Sequence, residues 1–419
     1  MLYDFYELSR SLLKPAVQLS AACAGLLTDP FSPLAHLPFA SDAAAGCELF
    51  YRLGKSYDKP AFDIGSVQVD GRHVAVAEEI VEERAFCKLR HFKKSWGGGA
   101  WTRRAQPVVL LAAPLSGHHA TLLRDTLGEL LKEHDVYLTD WTDARLVPAS
   151  AGPFGLGEYI SYVQDFMRLL GPELHIVSVC QSTAPVLAAI SLMASAKEPC
   201  LPRSMTMIGG PIDTRNSPTA VNRLAMEKPL SWFKDMMIHP VPYGHPGHGR
   251  RVYPGFVQQA CFVSMNAGRH AQSYGEFYRR RCRGEPAERH CAFYDEYNAT
   301  MDMPEEFYLE TIQAVFQECW LARGTWMVAG RMVRPQDIET VALFTIEGDR
   351  DDITGLGQTA AAHDLCAAIP PSKRKAFVAP GCGHYCIFSG HLWRQMIYPQ
   401  IRSFIGANAG EGASMTRAA

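Results

Sequence analysis

The sequence predicts an α/β fold: a mostly parallel, doubly wound sheet interrupted by one large insertion. Three observations predict it. Six short apolar runs are bounded by turn signals, helical patterns lie between the early ones, and one interval between runs is far longer than the rest.

The runs are PVVLLAA (107–113), DVYLTDW (135–141), LHIVSV (174–179), SMTMIGG (204–210), VALFTIEG (341–348) and KAFVAPG (375–381). They read as short apolar runs of the kind that buried parallel strands show. Between the first two, TLLRDTLGELLKEH (121–134) places leucines at 122, 123, 127, 130 and 131, one face of a helix. Strand–helix alternation implies right-handed crossovers and helices on both sheet faces. Counted from Val108, Val136, Ile176, Met205, Val341 and Ala376, the intervals are 28, 40, 29, 136 and 35 residues. The long one predicts a cap over the carboxyl edge of the sheet, rich in aromatic residues, Met and Pro and mostly helical, as in EEFYLETIQAVFQECWLARG (305–324).

Ahead of the wind, residues 67–94 read as a hairpin with Asp70-Gly71 as its tight turn. Residues 1–60 read as a helical and loop-like segment with an amphipathic piece near Leu12–Leu27. The core then spans 61–210 and 338–405, the cap 211–337, and a low-complexity, flexible tail 406–419. The Gly97–Gly99 run lacks a following Lys-Ser/Thr and reads as a turn, not a phosphate loop.

Composition narrows the function. The chain has 419 residues and a formal net charge of -2, which leaves no overall footprint for nucleic acid. The basic runs Lys88–Lys94 and Arg279–Arg283 read as solvated faces. The first residues carry acidic side chains and no apolar core of a secretion signal, and no run is long enough to cross a bilayer. The twelve cysteines therefore read as reduced cytoplasmic thiols. His239, His245 and His248 lie in a Pro/Gly-rich loop and read as loop histidines, so neither metal nor cofactor is expected.

The stretch VSVCQSTAPV (177–186) puts Cys180 at the joint between the third run and an alanine-rich helix. The nucleophile elbow of α/β-hydrolases occupies that joint, with the pattern Gly-x-nucleophile-x-Gly; here Ser178 and Ser182 replace the glycines. A helix N-terminus favours a thiolate, and a neighbouring imidazolium lowers the thiol pKa further. After the next-to-last run comes EGDRDDI, with Asp351 as the candidate acid and Asp349 and Asp352 as its rivals; after the last comes GCGHYCIF, with His384. The order nucleophile, acid, histidine is that of the α/β-hydrolase fold. Cys180 would attack an acyl carbonyl, His384 would relay its proton, and Asp351 would fix the imidazole tautomer. One oxyanion donor would be the backbone of Gln181. The other would come from the loop after the first run, at Ser116, Gly117 or His118; His118 and His119 read equally well as solvated residues at a helix start.

At these residues the chain resembles the intracellular poly(3-hydroxybutyrate), or polyhydroxyalkanoate, depolymerases, relatives of the polyhydroxyalkanoate synthases. The motifs are APLSGHHATLLRDT, YLTDWTDAR, VCQSTAPVLAA, GGPIDTRNSPTAVN, EGDRDDITG and GCGHYCIFSG. The resemblance implies an α/β-hydrolase fold, a Cys-Asp-His triad at Cys180, Asp351 and His384, and hydrolysis of amorphous cytoplasmic polyester granules to 3-hydroxybutyrate oligomers and monomer. The synthases resemble a Gly-x-Cys-x-Gly elbow, so Ser178 and Ser182 favour the depolymerases. An apolar polymer needs an apolar groove, for which Trp232, Phe233, Tyr243, Trp320 and Trp326 are candidates alongside a plain role in the core of the cap. Granule binding would use an apolar patch or the amphipathic amino-terminal segment, and a homodimer stays open. Two other readings compete: an esterase or thioesterase for short soluble acyl substrates, and a granule coat protein with little turnover.

Overall fold

A computed structural model describes residues 2–96 and 106–410; the Gly97–Gly99 run and the last nine residues lie outside the described residues. The helical hairpin at the amino terminus consists of α1 (Leu2–Thr28) and α2 (Ala40–Gly54). Asp70 and Gly71 then both take positive φ, 49° and 78°. A two-residue turn between twisted antiparallel strands requires this, and it joins β1 (Ser66–Val69) to β2 (Arg72–Arg84). The expectation of a single hairpin over 67–94 is corrected to three strands. After a second turn at Ala85 and Phe86, β3 (Cys87–Ser95) returns along β2.

The parallel part of the sheet is formed by β4 (Val108–Ala112), β5 (Asp135–Trp141), β6 (Leu174–Val179) and β7 (Ser204–Ile208), followed after the insertion by the two strands Ala342–Gly348 and Arg374–Ala379. Strand β3 pairs antiparallel with β5, and the order continues through β4, β6 and β7 to those two. Every residue of β6, of β7 and of strand Ala342–Gly348 is buried, because helices cover both faces. These helices include α3 (Arg124–Leu130), α4 (Leu156–Leu170) and α5 (Thr183–Ser195). In α5 every residue but the last is buried, so its lack of an apolar stripe is that of a central helix. Pro185 sits in its first turn, where a missing N–H costs nothing. This is an α/β-hydrolase fold, and the parallel strands deliver Cys180, Gly209, Asp351 and the His384 loop to one edge.

Between β7 and strand Ala342–Gly348 come α6 (Ala220–Glu227), α7 (Leu230–Met237), β8 (His239–Pro240), β9 (Arg251–Tyr253), α8 (Gly255–Met265), α9 (Ala267–Cys282), α10 (Glu288–Tyr297), β10 (Met303–Pro304) and α11 (Glu305–Thr311). The three short strands form a separate antiparallel sheet. Main chain ties this insertion to the loop after β4: His118 bridges Thr300, and Met301 N–H donates to the Gly117 carbonyl at 2.8 Å.

The insertion also holds the amino terminus. The Tyr3 hydroxyl donates to Asp302 Oδ2 at 2.7 Å, and Gly255 N–H donates to Oδ1 at 2.8 Å. Burial, and then the charge of Asp143, push the Asp302 carboxyl up to about 7.

One basic-run expectation needs correction, that of Lys94 in Lys88–Lys94, whereas Arg279, Arg280 and Arg283 are exposed as expected. Lys94 is buried and donates to the carbonyls of Leu131 (2.7 Å) and His134 (2.5 Å), and burial brings its ammonium down to about 8. Arg281 pairs with Glu48 at 2.6 Å, joining α9 to α2. The tail expected from Gly406 begins as helix, since Tyr398–Asn408 closes the fold. All twelve cysteines are free, and no helix among the described residues is long and apolar enough to cross a membrane.

Candidate active site

Strand β6 ends at Val179 and a tight turn, Cys180–Ser182, feeds directly into α5. Cys180 takes φ 56°, a left-handed conformation that costs a non-glycine residue about 1–3 kcal/mol and clusters at functional sites. The two serines that replace glycines are both accommodated. Ser178 is buried and donates to the Thr206 carbonyl at 3.3 Å. Ser182 Oγ accepts from Val179 N–H (2.9 Å) and lies 2.8 Å from the Ala112 and Val179 carbonyls, so its hydroxyl stitches the turn to β4.

The close approach that needs glycine lies across the sheet, at the end of β7. A Cβ on Gly210 would enter the Thr183 side chain. Gly209 has φ 56°, and a Cβ there would sit 2.5 Å from Ile387 Cδ1, 3.4 Å from His384 Cε1 and 3.5 Å from Asp351 Oδ2. The glycine pair was visible in SMTMIGG but read only as a strand end.

His384 Nδ1–H donates to Asp351 Oδ2 at 2.8 Å, with both side chains almost fully buried. Asp351 Oδ1 accepts from Ile353 N–H (2.9 Å) and Thr354 N–H (2.8 Å), which locks the carboxylate. The rivals are occupied elsewhere. Asp349 accepts from Cys382 N–H (3.2 Å), and exposed Asp352 accepts from Asn266 of the insertion (3.4 Å). Burial alone would pull the His384 pKa down, but Cys180 and Asp351, by charge and hydrogen bonding, outweigh it and hold the imidazole well above its ordinary 6.5. His384 is thus hydrogen-bonded to the carboxylate and electrostatically coupled to the Cys180 thiol, an arrangement that can pass a proton between sulfur and a leaving group.

Ser116 is half-buried; Gly117 is buried with φ 100°. A Cβ on Gly117 would run into the Gln258 side chain, so helix α8 of the insertion presses on this loop. Gln258 Nε2 donates to the carbonyls of Tyr253 (2.9 Å) and Met301 (3.0 Å), leaving its buried Oε1 unpaired beside Gly117. Gln181 lies in the Cys180–Ser182 turn that leads into α5, at the helix start where N–H groups have no intrahelical partner. His118 and His119 are buried rather than solvated. His118 is hydrogen-bonded to the Tyr297 carbonyl at 3.1 Å, and burial lowers the two imidazoles to about 4 and about 3.

The five aromatic candidates pack elsewhere. Phe233 is buried against Tyr308, and Trp232 packs edge-on to it at 5.0 Å. Trp326 is buried in the main core, Trp320 donates to Glu318 at 2.6 Å, and Tyr243 is 90% exposed. Aromatic composition reports burial, not which face of a cap looks at a site. The rings around His384 belong instead to Tyr385 (5.9 Å) and Phe388 (5.7 Å), with Tyr297 of α10 at 6.4 Å from Tyr385. Tyr297 and Phe262 flank His118 from the insertion. Tyr385 and Phe388 stand beside His384 in GCGHYCIF, whereas no local pattern marks Tyr297 and Phe262, which come from far along the chain.

Residues 209–409 match the family described as PHB de-polymerase C-terminus. No curated protein matches the chain. Solved structures that align with it include a bacterial membrane phospholipase A (14% identity, 96% of this chain and 99% of that one, TM-score 0.39). Others are DcsB in complex with its substrate analogue (13%, 80% and 99%, TM-score 0.45) and the 2-hydroxy-6-oxo-6-phenylhexa-2,4-dienoate hydrolase of Rhodococcus sp. strain RHA1 (12%, 79% and 99%, TM-score 0.40).

Proposed function

We propose that the protein, whose residues 209–409 match the PHB depolymerase C-terminus family, is an ester hydrolase and specifically an intracellular poly(3-hydroxybutyrate) depolymerase working through a cysteine acyl-enzyme. The observation that supports this reading is the strained Cys180 at the strand–helix turn, coupled to a histidine that a locked carboxylate holds by Nδ1.

In the proposed cycle His384 takes the Cys180 proton, and the thiolate attacks an ester carbonyl of the polymer. The tetrahedral oxyanion is met by the Gln181 N–H and a donor of the Ser116–Gly117 loop. As the C–O bond breaks, His384 returns the proton to the leaving alkoxide, which departs as the hydroxyl end of one fragment. The other fragment remains as a thioester on Cys180. Water, deprotonated by His384, then attacks the thioester, and the thiolate leaves a free carboxylic acid. Asp351 keeps the proton of Nδ1 in place throughout, so that Nε2 faces sulfur as an acceptor.

The test is release of 3-hydroxybutyrate from amorphous granules by the wild type and by Cys180→Ala, with a soluble butyrate ester in parallel. Release that disappears in a folded alanine variant supports the proposal. Full activity of that variant removes Cys180 from the mechanism. Turnover of the soluble ester without attack on granules leaves the esterase or thioesterase reading. A wild type that binds granules but turns over neither is a coat protein.

A further inference from the structure

Nearly half of the large apolar side chains exposed among the described residues fall within residues 2–53. On α1 they recur with helical period as Phe5, Leu8, Leu12, Leu19 and Leu26, on the face opposite the buried Val17 and Ser20 that meet α2. The connection to α2 adds Phe31, Leu34, Leu37 and Phe39, with Phe31 95% exposed. Between Pro15 and Ala40, Asp29 is the only Asp, Glu, Lys or Arg. A face this apolar and this poor in charge implies a partner phase.

The register says which. Read as a heptad seam from Phe5, the positions that should supply alternate knobs fall on Pro15 and Ala22. A second helix would find no knobs there. Phe31 and its neighbours lie on the turn beyond the helix, outside any helix-on-helix face. A continuous apolar phase requires neither register nor flatness, only area. An anionic lipid surface would recruit Lys and Arg along the polar flank, and the stretch from 15 to 40 has neither. A neutral, ester-rich apolar surface fits what is left.

The hairpin is held at its base. Arg10 donates to Ser56 (2.8 Å), Arg52 and Lys55 both pair with Asp295 of α10 (2.9 Å), and Glu48 pairs with Arg281 of α9. Helix α10 also carries Tyr297, beside Tyr385 and hence next to His384. The apolar face is thus joined rigidly to the roof of the site.

We infer that the α1–α2 hairpin docks the enzyme on the surface of the polyester phase and so sets the site against the polymer. This rests on the polyester reading above. The test uses the full chain carrying Leu12→Asp, Leu19→Asp and Phe31→Asp, and separately Phe31→Ser alone. Sedimentation with amorphous poly(3-hydroxybutyrate) granules is read beside hydrolysis of granules and of a soluble butyrate ester. Loss of three anchors should lower granule-bound protein and granule hydrolysis about tenfold or more, with the soluble-ester rate within about twofold of wild type and an intermediate effect for Phe31→Ser. Triple-variant protein that sediments and degrades granules like the wild type overturns the inference. So does wild type that binds phosphatidylcholine vesicles as well as granules, or a wild-type dimer that the triple variant dissociates. Wild type that binds granules through the hairpin but releases no 3-hydroxybutyrate sinks the polyester reading alone.

Discussion

Asp351→Asn is expected to harm the enzyme more than Asp351→Ala, the reverse of what side-chain similarity suggests. Oδ1 of Asp351 receives two backbone N–H donors, from Ile353 and Thr354, while Oδ2 faces His384 Nδ1 at 2.8 Å. An asparagine there must turn its carbonyl oxygen to the two backbone donors, because an amide nitrogen opposite two N–H groups would leave all of them unpaired. Its NH₂ then faces Nδ1, which has to become an acceptor. The ring proton moves to Nε2, and the histidine points a hydrogen at Cys180 where it should accept one. Trapping the wrong tautomer costs a serine triad about 10⁴-fold in kcat; a thiol, more acidic than a hydroxyl, should lose about 10³- to 10⁴-fold, which is ~4–5.5 kcal/mol of barrier. Alanine imposes no tautomer but strands two buried N–H groups, at about 1–3 kcal/mol each unless water fills the gap. The expected pattern is therefore crossed. The Asp351→Asn protein should be the more stable by chemical denaturation, and the Asp351→Ala protein the faster on a soluble butyrate ester and in alkylation of Cys180 by iodoacetamide. An Asn variant within about tenfold of wild type, or faster than the Ala variant, would refute the tautomer argument.

Gly209→Ala places a Cβ 2.5 Å from Ile387 Cδ1 and 3.4 Å from His384 Cε1 at a residue with φ 56°. The conformation alone costs about 1–2 kcal/mol, and displacement of His384 should lower kcat about tenfold or more with little change in KM; an unchanged kcat in steady-state assays would mean the ring does not move. Asp302 titrates near 7 in the fold against an ordinary 3.8. Its raised pKa means that the folded state holds the proton more tightly, so this contribution to stability is full below about pH 4 and is lost as pH rises through 7. Asp302→Asn keeps an acceptor for Gly255 N–H and cannot ionise. Denaturation midpoints at pH 5 and pH 8 should therefore differ less in the variant than in the wild type, and an equal difference would exclude Asp302 as the source.

The parallel strands were legible because each is a short, mostly apolar run, and burial of the central ones on both faces demands that composition. Once the strands are placed, chemistry at their carboxyl ends follows from topology, which is why three residues 33 or more positions apart in sequence could be read as one group. The pairing of Asp351 with His384, and the engagement of Asp349 and Asp352 by Cys382 N–H and Asn266, depended on loop geometry that three neighbouring acids do not reveal. The return of β3 was hidden because its turn, Ala85 and Phe86, has none of the Gly, Asn or Asp that mark Asp70-Gly71.

Most instructive is where the sequence seemed to depart from the elbow pattern. A nucleophile turn needs room between strand, helix and neighbouring strand, and that room can be supplied by either side of the contact. Here the elbow keeps a side chain on each flank, and Ser182 uses its hydroxyl to bind the turn to β4. The room comes from the end of β7 instead, where Gly210 yields space to Thr183 and Gly209 yields it to His384 and Ile387. The glycine requirement belongs to the contact, not to one strand's motif. A search for Gly-x-nucleophile-x-Gly therefore reads one half of a shared constraint, and IGG at 208–210 is the other half.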